Sequence, residues 1–522
     1  MNDLLLGLDL GTSSVKALLT DAAGATVASA SAGHPLSTPR PGWSEQDPSD
    51  WLRSAVHAVR EALARAAAAG HPDAGARVAA IGFSGQMHGA VLVDGSDEPV
   101  RPCILWNDSR SAAECAELDA RIGAPEILAR TGNRMLPGFT APKVRWVQRH
   151  EPDAWRRTDC VLLPKDWLRL KLGEVRATDA ADASGTLYFD VANRRWSEAM
   201  LRDLGMRTAQ VPACHESQDV VDRLSPAMAA AMGLAAGTPM VAGAGDQAAA
   251  AIGAGITAPG RLAATLGTSG VLFAASDRFR ASPDGALHAF CHALPGRWHL
   301  MSVMLSAGGS LRWFIDTMAR DLDARAAAEG RAIHEILDEE AARIARGSDG
   351  VTFVPTLAGE RCPVPNPTAC GSFHGLTLAT TQAHLARAVL EGVAASMALC
   401  LGQVRAAGIQ PSEAITAGGG FASKLWAQMH ADAFGIPLRP AAANEGSARG
   451  AALLAGLGVG VLGLETVEMP VISGLPFNPD PDAHKPWEAI LEKQLFLQRN
   501  GISPNVKIQP AEFLRGTDPG AP

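Results

Sequence analysis

The sequence predicts an α/β protein built from two parts that begin alike. Strand-like and helix-like segments alternate along its 522 residues, which is typical of folds in which helices cover a sheet. A chain of this length exceeds what one hydrophobic core usually holds, so we expect at least two domains. The third observation is a near repeat, because "GLDLGTSSVKALLT" at Gly7 returns as "AATLGTSGVLFAA" at Ala263.

The composition narrows the class of protein. Hydrophobic residues make up 47% of the chain and charged residues 19%, as in ordinary globular proteins. A net charge of -8 without a long Lys/Arg run argues against a nucleic-acid or anionic-membrane partner. We find no signal-peptide pattern and no run of about 18 apolar residues that would predict a membrane span. The eight cysteines are scattered without a C-x-x-C pair, which indicates reduced thiols and a cytoplasmic location.

The first part opens with a strand and a hairpin. "LLLGLDLG" is typical of a buried strand, and "VKALLTDAAGATVASASAG" predicts a hairpin that turns at Ala23–Gly24. A helix follows, with Asp47 as its cap, Pro48 in its first turn and Gly70 at its end. "AAIGFSGQMHGAVLVDG" then predicts a further pair of strands.

The second part repeats this order. "PMVAGAGDQAAAAIGAG" predicts strand, glycine turn and helix, and "GRLAATLGTSGVLFAAS" predicts the second hairpin. "EAITAGGGFASKLWAQMHADAFG" predicts a strand, a triple glycine and another helix. Beyond Glu465 we expect one helix over Pro486–Asn500, capped by Gly501, and then a poorly ordered tail. The predicted domains are therefore residues 1–247 and 248–465, followed by a terminal segment at 466–522.

The two Gly-Thr-Ser turns, each of which follows the first strand of the near repeat, carry residues suited to phosphate. Backbone N–H groups in a tight glycine turn can surround phosphate oxygens, and hydroxyl groups add donors. Thr12 and Ser13 supply the first turn, whereas Gly267 and Thr268 supply the second. An acid beside phosphate is repulsive unless a cation lies between them, so Asp9 is a candidate to direct Mg²⁺ through water.

A third candidate loop is the triple glycine at 418–420, which could approach a nucleotide closely. Each loop alone could equally be an ordinary polar turn, and the three together favour a nucleotide site. The sequence carries no Walker-type motif and no protein-kinase motif set, so neither of those designs applies.

One acid and two loops could act on a substrate. Asp246 ends an apolar strand in "GAGDQAAAA", so it is either a helix N-cap or a general base for phosphoryl transfer. "GQMHGA" places Met87 and His88 in a turn, where His88 could bind a polyol or be a structural residue. "ILWNDSR" adds Trp106 as an apolar platform beside polar groups, as in sugar sites.

Taken in order, the motifs resemble the FGGY family of carbohydrate kinases. They are "GLDLGTSSVK", "WSEQDP", "GQMHGA", "ILWNDSR", "TAPK", "LLPKDWLR", "GAGDQAA", "TLGTSG", "CHALPGRWHLMSVMLSAGGS" and "GGG", and they cover about residues 4–460. The resemblance implies two actin-like (ribonuclease H-like) lobes with ATP and sugar in the cleft between them. It is strongest to the members that phosphorylate D-xylulose, so it implies ATP-dependent formation of D-xylulose 5-phosphate.

The same motifs imply roles for single residues. Asp246 would be the catalytic base, and Asp9 would organise Mg²⁺ and the phosphates. The implied substrate contacts are Met87, His88, Trp106, Asp246 and Gln247. The implied contacts to ATP are Thr12, Ser13, Gly267, Thr268, Gly308, Gly419 and Gly420.

Two alternatives stay open. D-xylulose kinases often carry Asn where this chain has Gln247, and related polyol kinases carry Gln, so the sugar could be ribulose, L-xylulose or an alditol. Actin-like lobes also occur in chaperone ATPases and filament proteins, and a sugar sensor would share them, although the first two need no "GQMHGA" or "ILWNDSR" loop. We expect a sugar and ATP as partners, no nucleic acid and no membrane, and the sequence leaves a homodimer undecided.

Overall fold

The structure is a computed structural model that describes residues 3–442, 446–470 and 472–500. Its core is a pair of mixed β-sheets, one from each part of the chain, with helices packed against both. The predicted cap at Gly501 and the predicted tail lie outside the described residues.

The first part contributes fifteen strands and eleven helices. The strands are β1 (Leu4–Leu10), β2 (Ser14–Asp21), β3 (Thr26–Gly33), β4 (Glu45–Gln46), β5 (Val78–Gly85), β6 (Val91–Val93), β7 (Cys103–Ile104), β8 (Cys160–Leu162), β9 (Ala177–Asp179), β10 (Phe189–Asp190), β11 (Arg195–Trp196), β12 (Ala213–His215), β13 (Val220–Arg223), β14 (Pro239–Val241) and β15 (Ala244–Gly245). The helices are α1 (Pro48–Ala68), α2 (Ala74–Arg77), α3 (Ala112–Ile122), α4 (Ala124–Thr131), α5 (Thr140–His150), α6 (Pro152–Arg157), α7 (Pro164–Leu172), α8 (Ala180–Ala183), α9 (Glu198–Asp203), α10 (Pro226–Met232) and α11 (Asp246–Gly253).

The second part adds the remaining described elements. The strands are β16 (Arg261–Leu266), β17 (Gly270–Ser276), β18 (His288–Cys291), β19 (Trp298–Met304), β20 (Thr352–Val354), β21 (Ser372–His374), β22 (Glu413–Ala417) and β23 (Leu438–Pro440). The helices are α12 (Gly308–Met318), α13 (Asp321–Glu329), α14 (Ile333–Ala342), α15 (Gln382–Ala406), α16 (Lys424–Phe434), α17 (Gly446–Gly458), α18 (Leu464–Glu468) and α19 (His484–Asn500). Short 3₁₀ turns lie at Ser184–Thr186, Thr208–Gln210, Ser348–Gly350, Gly419–Ala422 and Pro481–Ala483.

The two sheets share one strand arrangement. The first has the order β13-β14-β5-β1-β2-β3, with β15 also on β5, and the second has the order β18-β19-β17-β16-β22-β23. In each, the opening hairpin is antiparallel, and its first strand runs parallel to a later strand, β5 in one sheet and β22 in the other. The sequence repeat therefore reflects a repeated topology, and the predicted two-part α/β fold is confirmed.

Local sequence signals account for most element ends. Helix α1 begins where the Asp47 carboxylate accepts a hydrogen bond of 2.9 Å from the Ser49 N–H, as its sequence predicts. Helix α19 begins two residues earlier than predicted, at His484. Both strands predicted between Ala79 and Gly95 are present, as β5 and β6, but they do not pair with each other: β5 runs parallel to β1, and β6 pairs with β8. The loop between them contains Met87 and His88.

Helix α17 connects the two parts of the molecule. It belongs to the second part by sequence, but it packs on β1 and β5 of the first sheet and along α11. A Cβ atom at Gly82 would lie 1.8 Å from the Ala451 carbonyl oxygen, and one at Gly7 would lie 2.0 Å from that of Ala448. The helix reaches the sheet this closely because both strands present glycine there.

Helix α15 is a core helix. Within the described ranges it is the one helix long and apolar enough to cross a membrane, and 83% of its most apolar stretch is buried inside the protein. It packs against α16, α12, α14, α19 and β20. Its apolar composition is explained by this packing.

Candidate active site

Two acidic side chains lie at the ends of strands β1 and β15, both of which pair with β5. Asp9 is the penultimate residue of β1, and Asp246 follows β15, which pairs with β5 next to β1. Burial, with the charge of Asp9 as the second cause, raises the pKa of Asp246 to about 7. The cap of α11 is Gly245, and Asp246 is its first helical residue, so the N-cap interpretation of Asp246 is wrong. Asp246 does not cap its helix, and it forms no ion pair with any residue that the structure describes, so its carboxylate is available for chemistry.

Asp9 has the features of a cation ligand. Its Oδ1 atom is buried and finds no hydrogen-bond partner within the described part of the chain. Burial raises the pKa of Asp9, opposed by the nearby Ser84 hydroxyl and Lys16. A carboxylate oxygen is the kind of ligand that Mg²⁺ prefers. Among the described residues no group of three or more His, Cys, Asp or Glu could hold a metal, so a cation beside Asp9 would complete its shell with water and phosphate oxygens.

A cavity of about 200 Å³ brings the predicted substrate residues together. All five of them, Met87, His88, Trp106, Asp246 and Gln247, line it. The other lining residues are Leu136, Gly138, Phe139, Ser269, Val271, His288, Phe290, Met301, Val303 and Arg361. Both parts of the chain contribute, so the cavity lies in the cleft between them. Its size and its mixture of apolar walls with a few polar groups suit a small polar molecule.

His88 is fixed by bonds at both its backbone and its ring. Its φ of 69° is in the left-handed region, which is strained for a residue other than glycine. Lys143 Nζ at 2.8 Å and Thr140 Oγ1 at 3.2 Å donate to its carbonyl oxygen, and its Nδ1 lies 2.7 Å from the Gly185 carbonyl oxygen.

The bond to Gly185 determines which ring nitrogen of His88 faces the cavity as an acceptor. Burial is the main cause that lowers the pKa of His88 to about 3, so the ring is neutral. A carbonyl oxygen only accepts, so Nδ1 carries the proton and Nε2 is left as an acceptor. The "TAPK" motif thus has a physical role, because its lysine, Lys143, holds the substrate loop.

A buried cluster of charged side chains lies beside helix α8, the helix that precedes Gly185, the partner of the His88 ring. Lys165 Nζ lies 2.6 Å from Asp166 Oδ1, 2.8 Å from Asp179 Oδ1 and 3.5 Å from Asp182 Oδ2, and all four side chains are fully buried. Asp179 and Asp182 flank or belong to α8, which leads directly into Gly185. The motif "LLPKDWLR", read from the sequence only as part of a resemblance, therefore anchors the segment that binds the His88 ring.

The turn at Thr12 and Ser13, predicted to bind phosphate, is held by side chains that the sequence analysis did not identify as site residues. Gln46 Nε2 donates to the Thr12 carbonyl oxygen at 2.6 Å, and Gln46 Oε1 accepts from Gln86 Nε2 and from Trp51 Nε1, each at 3.0 Å. Gln46 belongs to "WSEQDP". Its side chain connects the turn at Thr12 with Gln86, which directly precedes Met87 and His88. The one sequence signal for this role is the run of polar residues in "WSEQDP", directly before helix α1.

Trp106 also contacts the first loop. Its Nε1 donates to Thr12 Oγ1 at 3.0 Å, while its ring, 43% exposed, lines the cavity. Trp106 thus links the cavity to the turn at Thr12, which is predicted to bind phosphate. Ser13 lies exposed at the tip of the same turn.

The loops predicted to hold nucleotide meet at the end of β16. The Gly308 N–H donates to the Gly267 carbonyl oxygen at 2.8 Å, and a Cβ at Gly308 would lie 2.4 Å from that oxygen. The Thr268 carbonyl oxygen accepts from the N–H groups at 307 and 309. Gly420 packs on Leu266, where a Cβ would lie 2.4 Å from Leu266 Cγ, whereas Gly419 faces open space. The three turns therefore form one continuous glycine-rich surface.

Comparisons with known proteins agree with this arrangement. The N-terminal domain of the FGGY family of carbohydrate kinases matches residues 4–253, and its C-terminal domain matches residues 262–459. The chain is 44% identical to the xylulose kinase of Escherichia coli (strain K12) over 92% of this chain and 94% of that protein. It is 44% identical to the xylulose kinase of Klebsiella pneumoniae over 87% of this chain and 90% of that protein.

A solved structure shares the whole architecture. The crystal structure of xylulose kinase from Rhodospirillum rubrum matches with a TM-score of 0.87 and 32% identity, over 95% of this chain and 98% of that chain. Fold and family together define a carbohydrate kinase that uses ATP as its phosphate donor. The chain belongs to the FGGY family of carbohydrate kinases.

Proposed function

We propose that this kinase transfers the γ-phosphoryl group of ATP to the terminal hydroxyl group of D-xylulose, giving D-xylulose 5-phosphate. The observation that carries the proposal is the 44% identity, over 92% of the chain, to a protein named xylulose kinase. The shared cavity of Met87, His88, Trp106, Asp246 and Gln247 supports it, because its volume and polar groups suit a pentose.

Asp246 is the proposed general base. It lies in the cavity, and its carboxylate can take the proton of the hydroxyl group as that oxygen attacks phosphorus. Phosphoryl transfer depends mainly on positioning and on charge neutralisation. The turns at Thr12 and Thr268 are proposed to position the phosphates through backbone N–H and hydroxyl donors.

Asp9 is the proposed Mg²⁺ residue, through bound water. Its unpartnered buried Oδ1 fits that role, and its charge also helps to raise the pKa of Asp246. Mg²⁺, when bound, neutralises charge on the β- and γ-phosphates. Without a cation, the carboxylate of Asp9 would repel the same phosphates, so Asp9 makes productive ATP binding depend on the metal.

An ADP-release assay with ATP and Mg²⁺ tests the substrate. The panel is D-xylulose, L-xylulose, D-ribulose, L-ribulose, xylitol, D-arabitol and glycerol. We expect the highest kcat/KM with D-xylulose. A higher value with another member would replace the substrate and keep the enzyme class, with Gln247 as the first residue to examine. ATP hydrolysis that no member of the panel stimulates would favour the non-kinase ATPase or sensor alternative.

The expected setting of the enzyme is also a proposal. A cytoplasmic setting without nucleic acid or a membrane as partner fits the acidic charge of -8, and the homodimer that the sequence leaves undecided is tested directly. Light scattering on the purified chain, at concentrations used for the assay, measures the mass in solution. A mass of one chain would exclude the dimer.

A further inference from the structure

Arg361 reaches the substrate cavity from the second part of the chain. It lies in "GERCPVPNP", a motif whose chemistry the sequence left unread. The side chain lines the cavity together with His88 and His288, and it is exposed to the cleft. The described residues give its guanidinium group no salt bridge, so its N–H donors can meet a ligand in the cavity. An unpaired donor group facing a ligand cavity suggests that the ligand is the partner.

The backbone of Arg361 is fixed from two sides. Glu360 Oε1 accepts hydrogen bonds from the Arg361 N–H at 2.8 Å and from the Leu305 N–H at 3.0 Å. The backbone groups of Glu360 and Asn366 exchange two bonds, at 2.8 and 2.9 Å, and close the loop. Leu305 directly follows β19, whose Met301 and Val303 form a wall of the cavity. Glu360 therefore ties the loop to the cavity wall and holds the origin of the arginine side chain in place.

Arg361 lines the same cavity as Asp246 and the two histidines, His88 and His288. Its positive charge contributes to the lowered pKa values of His88 and His288. The carboxylate of Asp246 responds to Asp9 and Gln247 instead. Because Asp246 is the proposed base for the hydroxyl group that receives the phosphate, the guanidinium is left to bind another oxygen of the sugar.

We propose that Arg361 binds the ketone oxygen of the sugar and, together with Nε2 of His88, selects an α-hydroxyketone end. This inference rests on the proposed function. A guanidinium group only donates hydrogen bonds, and a ketone oxygen only accepts them. Nε2 of His88 accepts, so it pairs with the hydroxyl group next to the ketone. A sugar acid places a carboxylate where the ketone lies, and it pairs with the guanidinium through two parallel bonds.

The first test compares a ketose with its alditol. In Arg361→Met the kcat/KM for D-xylulose falls by about 10- to 100-fold, which corresponds to the loss of one charge-assisted hydrogen bond. The kcat/KM for xylitol falls much less, because its C2 hydroxyl group can turn to other partners, so the ketose-to-alditol ratio drops by about tenfold or more. The matched control is Arg343→Met, an exposed arginine of the same part of the chain, and it leaves the ratio unchanged.

The second test measures binding without turnover. Calorimetric titration with D-xylonate shows binding to the wild-type enzyme and to Arg343→Met, and binding weaker by about tenfold or more to Arg361→Met. Arg361→Lys keeps the charge without the planar fork and recovers only part of the loss.

The outcomes separate this inference from the proposed function. If the wild-type enzyme prefers D-xylulose but Arg361→Met lowers both sugars equally, or neither, the role of Arg361 is wrong and the function stands. If no sugar in the panel is phosphorylated, the function is wrong and the D-xylonate titration alone decides. Equal binding of D-xylonate by the wild-type enzyme and Arg361→Met, or its absence from both, overturns the inference.

Discussion

At the scale of single residues, two side chains of the candidate site are in energetically unfavourable states: Asp246 has a raised pKa, and His88 has a strained backbone. Asp246 is a half-buried carboxylate, and burial, with the charge of Asp9 as the second cause, raises its pKa to about 7. His88 has backbone angles in the left-handed region. Lys143 donates to its carbonyl oxygen, and its ring bonds to the Gly185 carbonyl oxygen. Strain and like-charge contacts of this kind persist where the surrounding structure compensates for them, and they are common at functional sites.

Replacing Asp246 by Asn should abolish turnover and leave the fold intact. The amide keeps the shape of the carboxylate but cannot accept the proton, so kcat should fall by about 10²- to 10⁴-fold. The substitution also removes the repulsion with Asp9, so the thermal midpoint should stay the same or rise. Steady-state kinetics and calorimetry measure the two effects. A variant that keeps more than about a tenth of the wild-type rate would show that Asp246 is not the base.

Replacing Lys143 by Met should damage the substrate side of the site. The variant removes the Nζ donor from the carbonyl oxygens of His88 and Gly138. The His88 oxygen keeps the Thr140 hydroxyl donor, whereas loss of the bond to Gly138 can leave a buried acceptor unsatisfied, at a cost of about 1–3 kcal/mol. We expect the kcat/KM for the sugar to fall by about tenfold or more, with a lower thermal midpoint. Lys171→Met, at a half-buried lysine paired with Glu98, is the control. Equal kinetics for both variants would contradict the role of Lys143.

At the scale of elements, signals that are local in the sequence were readable and contacts between distant segments were not. The cap of α1 at Asp47 lies within its own helix signal and was predicted correctly. The two strands predicted in "AAIGFSGQMHGAVLVDG" are present, but their partners β1 and β8 lie elsewhere in the chain, so the local pattern did not show what they pair with. The candidate site residues were predicted through glycine turns and family motifs. The residues that position them, Gln46 among them, act across 34 to 40 positions, and no local pattern encodes that distance.

Replacing Gln46 by Leu should weaken ATP binding more than sugar binding. The variant frees the Thr12 carbonyl oxygen and leaves Gln86 and Trp51 without their acceptor. We expect the KM for ATP to rise by about tenfold, as the loss of one good hydrogen bond at the phosphate loop implies. Gln410→Leu, at an exposed glutamine, serves as the control for the same change of side chain. A KM for ATP that matches the control would mean that Gln46 only stabilises the fold.

At the scale of the whole molecule, the near repeat of the two Gly-Thr-Ser hairpins made the duplicated sheets predictable. The return of α17 to the first sheet was not predictable, because its small residues carry no period that points to a particular partner. This return matters for the site. Ser447 Oγ donates to the Asp246 carbonyl oxygen at 3.1 Å, and Arg449 Nη1 donates to that of Gly253. Helix α17 therefore holds both ends of the helix that begins with the proposed base.

Replacing Gly450 by Ala tests this connection. A Cβ at Gly450 would lie 1.7 Å from the Ala249 carbonyl oxygen, so α11 and α17 must separate. Overpacking of this kind costs about 1–3 kcal/mol, and a shift of α11 moves Asp246, for which displacements of about 1 Å can cost up to 10²-fold in rate. We expect both the thermal midpoint and kcat to fall.

Gly402→Ala is the matched control, because it makes the same change in α15 with open space around the new methyl group. That variant should gain about 0.5–1 kcal/mol in the free energy of unfolding, since alanine is the better helix former, and its kcat should not change. A Gly450→Ala enzyme that loses stability but keeps the wild-type kcat would mean that α17 supports the fold without positioning Asp246. Loss of kcat together with stability would place the proposed base under the control of a helix from the other part of the chain.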